Sequence, residues 1–316
     1  MTTATLPLTA ARAERRKYSA KLPRRRIDFL LLLPSLLIVL LAIVGPFLTP
    51  YSATTISGAV SSAPSMAHLF GTDSVGLDVF SRVIGAARYN LVIAVATTLL
   101  CTVIGVVFGL GIGWFESARG AAGLVARGTT RLFDLLQAVP AILLGLVIVS
   151  FFGASVISLT VGMAIILAPI QMRLVRIEVL RVRKEAYLDA ARMAGQNELK
   201  LLARHVLPNS IWVALENMSF LFATSILLTA ALGFVGVGLR PPTPEWGSMI
   251  SSATNDALTG RWWSAAFPSI AMMITVWAFS NASHALFGRI APKKLAAAAA
   301  SSSPVVPSSE AAAEAR

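Results

Sequence analysis

Long apolar runs separated by short polar segments dominate the chain. Phe29–Leu48, Tyr89–Phe115 and Trp262–Gly288 carry no charged residue, and His205–Leu239 carries only Glu216. Each reaches the roughly 20 apolar residues that a helix rising about 1.5 Å per residue needs to cross a hydrocarbon core of about 30 Å. A further run, Leu132–Met172, has Asp134 as its one charge and is roughly twice as long as one crossing requires. It predicts a hairpin turning at Phe152-Gly153-Ala154-Ser155, where small residues interrupt the bulky pattern, with helices over Leu132–Phe152 and Val156–Met172. The expected fold is all-α, with six membrane-spanning helices.

Composition agrees with that pattern. Of the 316 residues 56% are apolar and 13% charged, against about 45–50% and about 25% in an ordinary soluble domain. The net charge of +12 then reads as membrane topology rather than as a nucleic-acid surface, because the basic residues are unevenly placed. Residues 1–28, 114–131, 173–204 and 289–316 hold 23 of the 27 Lys and Arg, and the other side keeps only Arg82, Arg88, Arg240 and Arg261. The positive-inside bias therefore puts both termini in the cytoplasm. Arg24-Arg25-Arg26 before an apolar run invites comparison with a twin-arginine export signal, but the run is long for a cleavable segment and five more follow, so the first span is expected to stay.

The expected organisation is a basic cytoplasmic tail (1–28), a first span (29–49), an extracytoplasmic segment (50–88), a core with five further spans (89–288) that includes the cytoplasmic loop 173–208, and a cytoplasmic low-complexity tail (289–316). Residues 295–316, nearly all Ala, Ser, Pro, Val and Glu, are expected to stay disordered.

Several chemistries are disfavoured. No Gly is followed by Lys, so no G-x-x-x-x-G-K-[ST] loop exists to cradle phosphates, and this chain is not expected to hydrolyse ATP itself. The glycines of Gly233-Phe234-Val235-Gly236-Val237-Gly238 reverse the spacing of a dinucleotide fingerprint and sit in an apolar run, which reads as helix packing and an unwound helix end. Cys101 is the single cysteine, and His68, His205 and His284 lie far apart, so neither a disulfide nor a metal site is expected from this chain alone.

The loop 173–208 is the most informative segment. Ala186, Ala190 and Ala194 recur at i, i+4 and i+8, giving a short helix one smooth face, and Gly195 suits the left-handed cap that would end it. Leu199, Leu202 and Val206 predict a second amphipathic turn before Leu207-Pro208, where proline breaks the pattern and opens the next helix. A face without bulk fits a groove in another protein. Eight basic against four acidic residues in 173–204 equally suit a loop lying on a bilayer surface.

Three stretches carry a resemblance. Asp189-Ala190-Ala191-x-x-x-Gly195, followed by His205-x-Leu207-Pro208, resembles the EAA loop of bacterial ABC importer permeases, with Asp189 in place of the usual glutamate. His68-Leu-Phe-Gly-Thr-Asp-Ser-Val-Gly-Leu-Asp-Val-Phe-Ser-Arg82 and Leu232-Gly-Phe-Val-Gly-Val-Gly-Leu-Arg-Pro-Pro-Thr-Pro-Glu-Trp-Gly247 resemble segments of the C-type permease of dipeptide and oligopeptide importers. Leu77 stands where that family usually has Arg, and Phe279–Leu286 lacks its acidic pattern. The resemblance implies a type I ABC importer permease fold in the bacterial inner membrane. The implied partners are a homologous B-type permease, two ATPase subunits carrying ATP and Mg²⁺, an extracytoplasmic solute-binding protein and membrane lipid. It also implies that Glu185, Ala186, Asp189, Ala190, Ala191, Gly195, Leu207 and Pro208 form the coupling helix and its surroundings. Short peptides are the expected cargo; nickel, glutathione and other small solutes are carried by permeases of the same architecture. A secondary transporter would instead want an ionisable group deep in the membrane, for which Glu216, with Asn217 beside it, is the candidate and also a candidate for the translocation path.

A topology reporter fused after Lys294 or inserted near Asn197 is expected to read cytoplasmic, and one near Ser62 or Asn255 extracytoplasmic. A cytoplasmic signal at Ser62 contradicts six spans.

Overall fold

The computed structural model describes residues 29–287, leaving out the side chains of Phe29, His284 and Phe287; the two expected tails lie outside the described residues. The described residues are helical, apart from loops and one isolated bridge between Thr72 and Asp78. In chain order the helices are α1 (Phe29–Leu48), α2 (Val79–Phe115), α3 (Ala121–Ala138), α4 (Ala141–Phe152), α5 (Val156–Val182), α6 (Ala186–Met193), α7 (Glu198–Leu201), α8 (Leu207–Val235), α9 (Trp246–Ser252), α10 (Thr254–Leu258) and α11 (Trp263–Phe287). A π-helical turn, Leu202–Val206, joins α7 to α8, so that Glu198–Val235 runs as one 38-residue rod. Five helices are long and apolar enough to cross a membrane, and the bent pair α3–α4 is a sixth when it is counted as one span.

That bent pair corrects the expected straight span over Leu132–Phe152. α3 and α4 meet at 94° across Val139-Pro140. Pro140 has no N–H to bond back, and its ring drives the residue before it out of the helical region, as the Val139 angles of φ −88° and ψ 133° show. The expected turn after Phe152 is present: Gly153 takes φ +79°, and Ser155 caps α5 in a reciprocal box with Ser158.

Two further boundaries move. α2 begins at Val79, ten residues before Tyr89, because the Asp78 carboxylate accepts from the Ser81 N–H at 2.8 Å and caps the helix there. α5 continues ten residues past Met172 to Val182, so Arg173, Arg176 and Arg181 lie on a helix rather than in a loop.

The core is built on the α2–α5 contact. Gly105, Gly109 and Gly113 recur every four residues on α2 and let the α5 backbone approach closely. A Cβ added at Gly105 would lie 2.5 Å from Gln171 Cβ, at Gly109 2.8 Å from the Met172 carbonyl oxygen, and at Gly113 2.8 Å from Val179 Cβ. With apolar lipid around the helices, close packing at small residues supplies the attraction that the hydrophobic effect supplies in water. α8 lies against both α2 and α5, and α1 and α11 pack on the outer side of this trio.

The bundle has two ends, named here by what they carry. At the loop end lies 183–206. At the cap end, residues 49–78 and the short helices α9 and α10 close over the helix termini, with the Trp246 indole N–H donating to the Val83 carbonyl and that of Trp263 to the Thr72 carbonyl.

Gly109→Ala is expected to lower the melting temperature of the detergent-purified protein, because overpacking against backbone costs about 1–3 kcal/mol. Gly111→Ala, where an added Cβ meets nothing within 4 Å, is expected to leave it unchanged or raise it. Equal melting temperatures for the two variants contradict the seam.

Candidate functional site

At the loop end the chain leaves α5 through Arg183-Lys184-Glu185, with Glu185 at the N-cap of α6 in an extended conformation and without a side-chain capping bond. α6 turns one side inward. Leu188 is fully buried in a cluster with Trp114, Val179, Val182, Leu201 and Val206, and Ala191 packs at its edge. Ala186, Asp189, Ala190 and Ala194 face outward and are exposed, so the smooth alanine face expected from spacing is uncovered. α6 ends as expected: Gly195 takes φ +78°, its N–H bonds the Arg192 carbonyl at 2.9 Å, and the Gln196 N–H reaches back to Ala191 at 3.2 Å. Open space surrounds Gly195, so backbone conformation alone restricts the residue there.

Trp114, at the end of α2, holds this helix in place. Arg183 and Arg192 both stand over its ring, at 5.3 and 5.7 Å from the centroid, and Arg183 also donates to the Gly113 carbonyl at 2.9 Å. Arg192 further bridges Asp189 at 2.9 Å and Glu198 at 3.2 Å. Sequence reasoning passed over Trp114, although an aromatic residue ending an apolar run beside a basic loop was a readable signal.

The second amphipathic turn needs correction. Leu199 is 66% exposed, whereas Leu201 and Val206 are fully buried. Five residues separate that pair, which an α-helix would place on different faces. The π-helical turn, in which the Leu207 N–H bonds the Leu202 carbonyl, widens the spiral enough to turn both inward. Pro208 sits in the first turn of α8, after the π turn, without interrupting the rod. Asn209 Nδ2 donates to the His205 carbonyl at 2.6 Å and reaches Tyr187 Oη on α6 at 3.4 Å. Burial, with Glu185 nearby, pushes the Tyr187 phenol above its ordinary range.

Glu216 and Asn217 diverge. Asn217 Nδ2 donates to Gln171 Oε1 at 2.8 Å, while the fully buried Gln171 donates through Nε2 to the Ala214 carbonyl at 2.7 Å, tying α5 to α8. Asn217 also opens onto a cavity of about 350 Å³ lined by Gln137, Arg173, Leu174, Ile177 and Phe220, among others. Glu216 does not line that cavity, and its Oε1 is buried without a hydrogen-bond partner among the described residues.

The two outer motifs resolve into one closure at the cap end. Asp78 pairs with His68 at 2.9 Å while capping α2, and the Asp73 carboxylate accepts the Val75 and Leu77 N–H groups at 2.9 Å and lies 3.6 Å from Arg82. Leu77 is buried. Glu245 is 0% exposed and caps α9, accepting from Gly247 N–H at 2.8 Å and Ser248 N–H at 2.9 Å. Its carboxylate presses on Gly233 and Gly238, leaving no room for a side chain at either. Burial raises the Glu245 carboxyl above its usual range, against the two N–H groups that lower it. The helix end expected at the Gly233–Gly238 run is present, with Gly236 at φ +93° ending α8.

Residues 105–295 match the model of the binding-protein-dependent transport system inner membrane component family. A glutathione transport system permease protein GsiD of Pectobacterium atrosepticum is 33% identical over 295 residues, which cover 92% of this chain and 96% of that protein. A di/tripeptide transport system permease protein DppC of Pseudomonas aeruginosa is 34% identical, covering 83% of this chain and 86% of the relative. A solved chain of the MetNI methionine ABC transporter in an inward-facing conformation aligns at a TM-score of 0.49 and 16% identity, over 63% of this chain and 93% of that one. The all-helical, multi-pass chain thus belongs to the binding-protein-dependent transport system inner membrane component family and is a permease of that kind.

Proposed function

We propose that this chain is the C-type permease of an ATP-driven importer of short peptides, working beside a homologous B-type permease, with ATP and Mg²⁺ handled by two ATPase subunits that dock on α6. The observation that carries the reading is the exposed alanine face of α6, backed by Leu188 and Arg192 against Trp114. A helix that presents Ala186, Ala190 and Ala194 outward, with Met193 beside them, and has a fixed back can seat in a partner's groove and pass a displacement into the bundle. Glu185, Ala186, Asp189, Ala190, Ala191 and Gly195 form that docking element, and Leu207-Pro208 open the rod that follows it. The relatives bearing the names glutathione and di/tripeptide permease support the cargo class, since glutathione is itself a tripeptide. The family description implies an extracytoplasmic solute-binding protein. The distribution of basic residues puts the loop end in the cytoplasm. For the translocation path, Asn217 with Gln137 and Arg173 offers polar groups on an open cavity, whereas Glu216 beside it does not face that space.

Ala190→Trp is expected to weaken retention of the ATPase subunits on the purified permease pair at least about fivefold, since overpacking a fitted contact costs about 1–3 kcal/mol. Gly195→Val is expected to re-aim α6, because a left-handed conformation costs a side-chain-bearing residue about 1–2 kcal/mol, and so to uncouple hydrolysis from peptide uptake in vesicles. Wild-type retention and uptake in both variants would exclude α6 as the docking element.

A further inference from the structure

A second charged feature of the loop end takes no part in the α6 contact. Between the end of α2, α3 and α5 lies a cavity of about 360 Å³, lined chiefly by Glu116, Arg127, Arg131, Asp134, Arg173 and Arg176. Four guanidinium groups therefore face two carboxylates, and both carboxylates are already engaged. Glu116 accepts both arms of Arg176, at 2.6 and 2.8 Å, which holds its carboxyl below the ordinary range. Asp134 accepts from Arg173 at 3.1 Å. Arg127 donates one N–H to the Glu116 carbonyl at 3.1 Å. Arg131 has no acceptor within hydrogen-bond distance among the described residues. The lining thus carries four guanidinium charges against two carboxylates, a formal excess of two, and guanidinium forks match the oxygens of a phosphate.

We infer that this cavity binds the phosphate of an anionic membrane lipid, Arg131 and Arg127 gripping the headgroup while the acyl chains lie along α3. The shape of α3 selects the lipid over a free phosphate. Leu124 and Leu135 stand seven residues before and four after Arg131, so all three fall along one line of the helix. Both leucines are 68% exposed, and Val125 and Leu132 beside that line are exposed as well. Arg131 lies at the seam where the polar cavity meets this apolar strip. The 94° bend at Pro140 turns α3 nearly perpendicular to α4, so that where α4 follows the bilayer normal α3 takes the posture of an interfacial helix. Basic pockets between spanning helices are suited to lipid headgroups, and each basic residue near an anionic surface contributes about 1 kcal/mol. A free phosphate would satisfy the guanidiniums and leave the leucine strip bare; a lipid fills both.

The test uses the assembled transporter in nanodiscs of equal parts phosphatidylcholine and phosphatidylglycerol, with retained lipid counted by native mass spectrometry. Phosphatidylglycerol retention is expected to fall about fivefold in Arg131→Gln and roughly thirtyfold when Arg127→Gln is added. Arg119→Gln removes the same charge from the same end outside the cavity and is expected to change retention little. An equal loss in Arg119→Gln would reduce the effect to general surface attraction and overturn the site. Displacement of phosphatidylglycerol by an equal concentration of soluble glycerol phosphate would assign the cavity to a free phosphate and overturn the lipid assignment. Loss of the sister permease from the Arg131→Gln complex would make α3 a subunit contact, with the same consequence. Unchanged retention in the double variant refutes the inference outright.

Discussion

The closeness of α2 and α5 is the constraint on which the loop end depends. Where Gly105, Gly109 and Gly113 remove the side chains between the two backbones, the helices lock into one axial register. That register then aligns everything beyond the seam. Gln171, opposite Gly105, is placed to bond Ala214 and Asn217 on α8. One turn past Gly113, Glu116 meets both arms of Arg176, and Trp114 comes under Arg183 and Arg192. A slip by one helical turn of about 5.4 Å would part all of these pairs together, leaving a buried amide and a partly buried carboxylate without partners. The polar contacts therefore specify the register, while the glycines make it attainable.

The cap end is held by a different device. Two almost fully buried carboxylates act there among the described residues, Asp78 and Glu245, and Glu245 works through backbone rather than through a cation. By accepting two N–H groups at the start of α9 while filling the space over Gly233 and Gly238, it fastens the end of α8 to the segment that crosses the cap. Glycine is needed at those positions to admit a carboxylate, not to relieve a strained turn. The twist of the chain out of α8 is supplied separately by Gly236.

What the sequence made legible divides along physical lines. Spans followed from apolar runs because composition alone decides whether a helix tolerates lipid, and the turn at Gly153 and the cap at Gly195 followed because backbone conformation restricts the residue locally. Pro140 carried a readable break, but it sits inside a run whose apolar composition suggested continuity, and the bend was missed. Of the face expected from Leu199, Leu202 and Val206, the last two pack inward and Leu199 does not; Leu201 takes its place because the α-helical period does not hold across a π turn that no local residue announces. Glu245 was unreadable for another reason. An isolated acid after a proline cluster resembles a solvated loop residue until the fold brings Gly233 and Gly238 against it. The alignment of Arg131 with exposed leucines is present in the sequence as a four-and-seven spacing, but the apolar pattern divides it, placing Leu124 and Arg131 in the cytoplasmic segment 114–131 and Leu135 in a crossing helix.

The loop end distributes force in a way that a free surface loop could not. α6 has three attachments: Leu188 in the cluster with α5, Arg192 over Trp114 on α2, and Tyr187 within reach of Asn209 on α8. A displacement applied to its exposed face is therefore shared among the three helices that form the bundle's core. On the proposed docking of ATPase subunits at α6, α8 is the lever. From Glu198 through Val235 it is one rod, about 57 Å long at 1.5 Å per residue, with Asn217 part way along and the Glu245 contact at its far end. The π turn is the single irregularity near its base, and a wider spiral with longer-range hydrogen bonds is where a rod can change pitch while keeping its backbone bonded. On the proposed docking, motion entering at α6 meets the π turn before the α-helical shaft, whose far end is held by Glu245, one of several contacts that close the opposite side of the bundle.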